Sequence, residues 1–137
     1  MDLTEIVIKK DGKWYFGMAE MFRRNILNIL AVHIEKEEDG SYCIKLGNDL
    51  NPITVEDCPF LATGYIEEED SRIKLRFHDL QEFELNHELK LTFKGDVPYI
   101  DFKWEADTRL SRGVYWKLSE FFDYRGDEVY IVPPGVK

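Results

Sequence analysis

The chain has 137 residues, enough for one domain or two small ones sharing an interface, and its 44% apolar and 14% aromatic content can fill a buried core. With 27 acidic residues against 18 Lys and Arg the net charge is −9, a field that repels phosphate backbones and anionic lipid, and no run of five Lys or Arg offsets it. The reading is therefore no nucleic acid and no membrane: charges interrupt every apolar run in residues 1–25, so no signal-peptide pattern is visible, and the longest apolar tract, around Ile26 to Ile34, contains Asn28 and His33 and is too short to span a bilayer.

The first elements are β. Ile6 and Ile8 alternate with charged neighbours from Thr4 to Lys9, Asp11-Gly12 is a hairpin signal, and Lys13–Phe16 is the returning strand. Gly17 breaks the pattern. Met21, Phe22, Ile26, Ile29 and Leu30 then follow helical spacing, with Arg23, Arg24 and Asn28 off that stripe. From Leu30 the period drops to two, which predicts a short helix running into a strand through Val32 and Ile34. Asp39-Gly40 turns the chain into Tyr42–Leu46, and residues 47–52 read as loop.

Ile53 and Val55 lead into Asp57-Cys58-Pro59-Phe60 and a strand reaching about Glu67. After the acidic tip at 67–70, Ile73, Leu75 and Phe77 mark a strand, Phe83 and Leu85 another, and Leu89, Leu91 and Phe93 a third. Ile100, Phe102 and Trp104 alternate with Asp101, Lys103 and Glu105 as a further strand. Leu110, Val114, Leu118 and Phe121 form a wide helical stripe, with Asp107, Thr108 or Ser111 as cap and Gly126 just past its end. A last short strand holds Val129 and Ile131.

Eight or more strands and two helices, joined by hairpins, predict an α+β protein: a mostly antiparallel sheet with the helices packed on it. Strands do not alternate with helices, which argues against a parallel doubly wound sheet. The whole of 1–137 reads as one compact unit, with room for two similar subdomains at 1–68 and 69–137. An internal echo is visible: residues 53–61 and 91–100 both run strand, Asp-x-Pro turn, aromatic, strand, a pattern that a duplication or two independent hairpins would give about equally well. Pro59 and Pro98 fix φ where the second strand starts, and Asp57 and Asp96 can bind backbone N–H groups.

Several pieces occur together in order. They are Asp11-Gly12-x-Trp14-Tyr15 before a Gly, the Asp39-Gly40-Ser41-Tyr42 turn, Val55-Glu56-Asp57-x-Pro59-Phe60, Pro98-Tyr99-Ile100, and a Ser111-Arg112-x-x-Tyr115-x-x-Leu118 helix. The ordered set resembles an uncharacterised bacterial family catalogued as domain of unknown function 1285, across nearly the whole chain. The resemblance implies an α+β protein of two similar subdomains with a signalling or ligand-binding role, and it brings no catalytic residues.

The residues themselves offer little catalytic chemistry. His78-Asp79 and His87 have no metal-site spacing, so no metal and no cofactor is expected. Ser41, Ser71, Ser111 and Ser119 lie in no GxSxG context. Cys43 and Cys58 lie in no CxxC and read as free, buried thiols in a reducing cytoplasm. Glu56 and Asp57 sit among apolar residues and read as turn caps or ion-pair partners for an Arg. The constellation that stands out is cationic and aromatic: Arg109, Arg112 and Tyr115 around the start of the second helix, with Trp14 and Tyr15 elsewhere. Guanidinium forks suit a carboxylate or phosphate, and a local Arg cluster is conspicuous in so acidic a protein.

Three functions remain open at this stage. The first is a non-enzymatic module that binds a small anionic ligand or a protein partner. The second is an enzyme with an unrecognised site on Glu56, Asp57, Arg109 and Arg112. The third is a structural subunit that assembles through a sheet edge or an aromatic face.

Overall fold

The computed structural model describes residues 3–136 and divides into two compact units. One comprises the chain up to Pro59 together with His78–Gln81, and the other comprises Phe60–Phe77 and the residues from Glu82 onward. The division falls between Pro59 and Phe60. Residues 68 and 69, where the subdomain boundary was expected, lie instead in the turn of a hairpin of the second unit.

The first unit contains β1 (Ile6–Ile8), β2 (Trp14–Phe16), β3 (Ala19–Glu20), α1 (Arg24–Ala31), β4 (Ile34–Lys36), β5 (Tyr42–Leu46) and β6 (Asp49–Val55). Its six strands form one mixed sheet in the order β3-β2-β1-β6-β5-β4, antiparallel except where β1 runs parallel to β6. The sequence could not show that pairing, because it joins strands more than forty residues apart. The Asp-Gly turns form as read: Asp11 Oδ1 accepts the Lys13 N–H at 3.0 Å, and Gly12 takes φ 84°. Ile6, Ile8, Trp14, Ile34 and Ile44 are the core.

Of the stripe the spacing suggested, helix α1 turns only Leu30 fully inward. Leu27, Leu30 and Ala31 are buried, whereas Phe22, Ile26 and Ile29 face solvent. The segment is apolar on two faces, so periodicity alone picks the wrong stripe. Asn28 is only half-exposed and is held by the fold: its Nδ2 donates to the Asp79 carbonyl at 3.0 Å.

The second unit contains β7 (Phe60–Glu67), β8 (Ile73–Phe77), β9 (Glu82–Glu84), β10 (Leu89–Lys94), β11 (Val97–Ile100), β12 (Thr108–Leu110), α2 (Arg112–Leu118), β13 (Phe122–Arg125) and β14 (Glu128–Ile131). Its sheet has eight strands in the order β13-β14-β10-β11-β12-β7-β8-β9, again with a single parallel pair, β7 with β12. The molecule is thus α+β and mostly antiparallel, with one helix in each unit.

Three expectations are corrected here. Residues 101–106 are not a strand. The Asp107 carboxylate accepts the N–H groups of Phe102, Lys103 and Trp104 at 2.7, 2.8 and 2.9 Å and folds the segment into a loop. Phe102 and Trp104 point into an aromatic cluster with Phe60, which explains why they alternated like strand residues. The second helix is also shorter than its stripe. It is capped by Ser111, whose Oγ accepts the Val114 N–H at 3.4 Å, and it ends at Leu118 in a single tight turn. Gly126 then serves the β13–β14 hairpin at φ 64°. The internal echo is not structural either. Residues 91–100 form a tight hairpin with Lys94 opposite Val97, while residues 53–61 leave one sheet and enter the other.

Candidate functional site

The densest convergence of sequence-selected residues lies in the second unit, where strand ends meet the start of α2. On β10, Leu89, Leu91 and Phe93 share a face, because alternate residues of a strand do. Their cross-strand partners Ile131, Val129 and Pro98 extend that face over β14 and β11. Helix α2 packs against β7 and buries Val114 and Leu118, at 2% and 0% exposure. Tyr115 projects from the helix and meets the Phe93 ring edge-on at 6.2 Å and the Phe122 ring at 5.4 Å.

A cleft of about 340 Å³ opens at this corner, within the range of small-molecule sites. Phe93, Val97, Pro98, Tyr115 and Trp116 give it apolar and aromatic walls. Arg109 enters from β12, where it pairs with Tyr99 and Leu61, and Arg112 enters from the first turn of α2. Asp96, on the β10–β11 turn, is the one carboxylate in the lining. Two guanidiniums against one carboxylate leave the cleft net positive in a chain of net charge −9.

Arg112 is exposed and makes no ion pair among the described residues. Its charge is therefore available to a ligand without first breaking an internal contact. Arg109, also in the lining, is half-buried and already engaged. The helix itself contributes little to anion binding. It has only seven residues, and Ser111 already satisfies one of its first N–H groups.

Trp116, 63% exposed, was missed by sequence reasoning. It stands beside Tyr115 in sequence, and their rings pack edge-on at 5.4 Å. A large exposed aromatic next to a singled-out Tyr was the available signal. Tyr124 continues the ladder from Phe122 at 6.4 Å and is 73% exposed.

The other selected residues lie elsewhere. Trp14 and Tyr15 belong to the first unit and do not line the cleft. Trp14 is a core residue at 1% exposure, and Tyr15 carries the Lys9 ammonium 4.3 Å over its ring. Glu56 and Asp57 end the first unit and do not line the cleft either. Glu56 Oε1 accepts the Lys10 N–H at 3.1 Å, a turn contact. Pro59 directly precedes β7, and Pro98 is the second residue of β11.

Among the described residues no three His, Cys, Asp or Glu side chains gather as a metal site. His87 packs its ring 6.2 Å from Phe83 and meets the Asn86 side-chain oxygen at 2.8 Å. Both cysteines are buried, and neither forms a disulfide. No helix among the described residues is long and apolar enough to cross a membrane.

No family model matches the sequence, and no curated protein matches it. Two crystal structures match the fold. One is a DUF1285 family protein from Silicibacter pomeroyi, with a TM-score of 0.71 and 14% identity over 89% of this chain and 71% of that one. The other is a DUF1285 family protein from Shewanella baltica, with a TM-score of 0.71 and 14% identity over 90% of this chain and 96% of that one. At that identity the likeness is one of fold, and it is the fold of the family that the ordered sequence motifs resemble.

Proposed function

We propose that the protein is a non-enzymatic binding module whose cleft on the second unit takes a small anionic ligand with a flat apolar body. The observation that carries this is the pairing of Arg109 and Arg112 with Phe93, Pro98, Tyr115 and Trp116 around one opening. The cations supply orientation. A guanidinium holds a carboxylate or phosphate through two parallel N–H donors, in a geometry that a single ammonium cannot copy. The aromatic walls supply affinity, by removing apolar ligand surface from water and by ring stacking. Nothing in the lining offers a nucleophile with a base beside it, so binding is the chemistry these side chains can perform.

The test is a thermal-shift and calorimetric series with matched ligands: an aromatic carboxylate, an aromatic phosphate, their neutral amide or alcohol analogues, and inorganic phosphate. A ligand that binds only the folded chain stabilises it by about 2.7 kcal/mol at a hundred times its Kd, well within detection. The aromatic anions should stabilise the fold and the neutral analogues should not. Arg112→Ala should remove at least tenfold of the affinity while leaving unliganded stability unchanged. Equal binding by the neutral analogues, or by the Arg112→Ala protein, would refute the assignment.

A further inference from the structure

Helix α1 of the first unit carries a second apolar face that the fold leaves uncovered. Ile26 and Ile29, three residues apart, share one side of α1, and Phe22, just before the helix, lines a recess with Ile26. Phe22, Ile26 and Ile29 are 76%, 36% and 58% exposed, against 0% for Leu27 on the inward side. The recess, of about 270 Å³, opens at the N-terminal end of that face, beside Met21, Phe22, Arg23 and Ile26. Single exposed apolar residues need no explanation, but three of them beside a recess do.

The charge around the face selects what covers it. From Met21 to Ile34 the sequence contains no Asp or Glu, although the whole chain has 27 of them. Arg23 and Arg24 are exposed and make no ion pair among the described residues. The face is therefore apolar with a positive rim, on a molecule that is otherwise negative. A second copy docked face to face would bring a surface with no Asp or Glu between Met21 and Ile34, so Arg23 and Arg24 would find no carboxylate there. An anionic lipid surface would gain two cations and meet a net charge of −9, an unfavourable balance. An apolar stripe flanked by carboxylates on a partner would match both features.

We infer that the α1 face is a docking surface for an acidic amphipathic helix of a partner protein. One apolar side chain of that helix enters the recess beside Phe22. Others lie along Ile26 and Ile29, and its Asp or Glu residues meet Arg23 and Arg24. Such helix-on-helix recognition uses anchors at i, i+3 or i+4 and i+7 on the docking helix. This surface lies on the first unit and does not depend on the cleft reading.

The test uses the full chain and a panel of synthetic helical peptides about four turns long, with Leu anchors at that spacing and either Glu or Lys on the flanking positions. The Glu peptides should bind saturably and perturb the amide resonances of Ile26 and Ile29. Phe22→Ser with Ile29→Ser should weaken them at least tenfold, and circular dichroism should show that variant folded, since both positions are exposed. Arg23→Glu with Arg24→Glu should reverse the preference so that the Lys peptides bind better. The inference is overturned if no Glu peptide binds, if Lys peptides bind the unaltered chain equally well, or if the charge reversal changes nothing. Concentration-dependent dimerisation abolished by Phe22→Ser would also overturn it in favour of a second copy, and sedimentation with anionic vesicles in favour of lipid.

Discussion

The Asp107 carboxylate accepts the Lys103 N–H at 2.8 Å, and with that contact the residue closes a loop that the sequence presented as a strand. The same carboxylate accepts the Phe102 and Trp104 N–H groups and the Thr108 hydroxyl, the last at 3.0 Å. Asp107 is 1% exposed, and burial pushes its carboxyl above the ordinary value while the hydrogen bonds pull it back. Asp107→Ala removes the acceptor and leaves three backbone donors without a partner, at about 1–3 kcal/mol for each one that stays buried. The expected result is a loss of several kcal/mol in urea unfolding. The Trp104 emission should also shift to the red, because its ring is stacked 6.2 Å from Phe60 only while the loop is closed.

Cys43 makes a second prediction. Its thiol donates to Glu37 Oε1 at 2.9 Å, and burial, then Glu37, pushes its pKa up to about 11. A thiol so far from its thiolate form reacts slowly. In the native protein an aromatic disulfide reagent should modify Cys43 orders of magnitude more slowly than it does in denaturant. Glu37→Gln should raise the native rate, because it removes a carboxylate that opposes ionisation.

The turns supply a matched comparison. Lys9–Lys13, Glu37–Ser41 and Glu68–Arg72 close with the same pair of backbone hydrogen bonds, and each has Asp at its third position. The fourth position is left-handed in all three: Gly12 at φ 84°, Gly40 at φ 89° and Ser71 at φ 71°. Only Ser71 carries a Cβ there, where an L side chain costs about 1–2 kcal/mol. Ser71→Gly should therefore stabilise the protein, by about 0.5 kcal/mol once the added freedom of the unfolded Gly is subtracted. Gly40→Ala, at a site with no heavy atom within 4 Å of the new Cβ, should cost about 1 kcal/mol from the backbone alone. Chemical denaturation of the pair checks both signs.

These turns were legible in the sequence because their chemistry is local: an Asp side chain and a residue that tolerates positive φ. The strands of the hairpins were legible for the same reason, since alternation and turn lie within a dozen residues. What failed was non-local. The two parallel pairs, β1 with β6 and β7 with β12, depend on segments far apart in the chain. Phe22, Ile26 and Ile29 looked like core because nothing in a periodic pattern distinguishes an apolar face that meets the sheet from one that meets solvent. Of the site residues, Arg109, Arg112 and Tyr115 came together because they are close in sequence around one strand-to-helix junction. Trp14 and Tyr15 were chosen for residue type alone, and the fold assigned Trp14 to the core.

Arg125 ties two segments of the second unit. It grips Glu88 through both terminal nitrogens at 3.0 and 2.8 Å, bonds Asp123 through Nε at 2.8 Å, and lies 4.4 Å over the Tyr130 ring. The hydrogen bonds from Arg125 hold the Glu88 carboxyl below its usual value of 4.5. A depressed carboxylate adds stability above its unfolded pKa and loses it as pH falls through the folded value. Arg125→Ala should return Glu88 toward its ordinary titration, as read by side-chain carboxyl NMR. The stability difference between the variant and the parent should narrow on acidification below about pH 4 and in high salt.

His78 gives the opposite-charge case. It is half-buried in the first unit, and burial, then the nearby Arg24 guanidinium, lowers its pKa from 6.5. Lys13 acts in the same direction, while Glu20 and Asp11 oppose the shift without cancelling it. The fold thus prefers the neutral ring. A His with a lowered folded pKa contributes stability above the unfolded value and loses it as pH falls through the folded one, because protonation is then easier in the unfolded chain. His78→Gln removes the titration while keeping a polar side chain of similar reach. Urea midpoints measured from about pH 8 to about pH 5 should fall more steeply for the parent than for His78→Gln. Arg24→Gln, with the imidazole kept, should reduce that difference by removing the larger of the two like-charge effects. A parent and variant that lose stability in parallel across this range would show that the imidazole keeps its proton equilibrium on folding, against the packing described here.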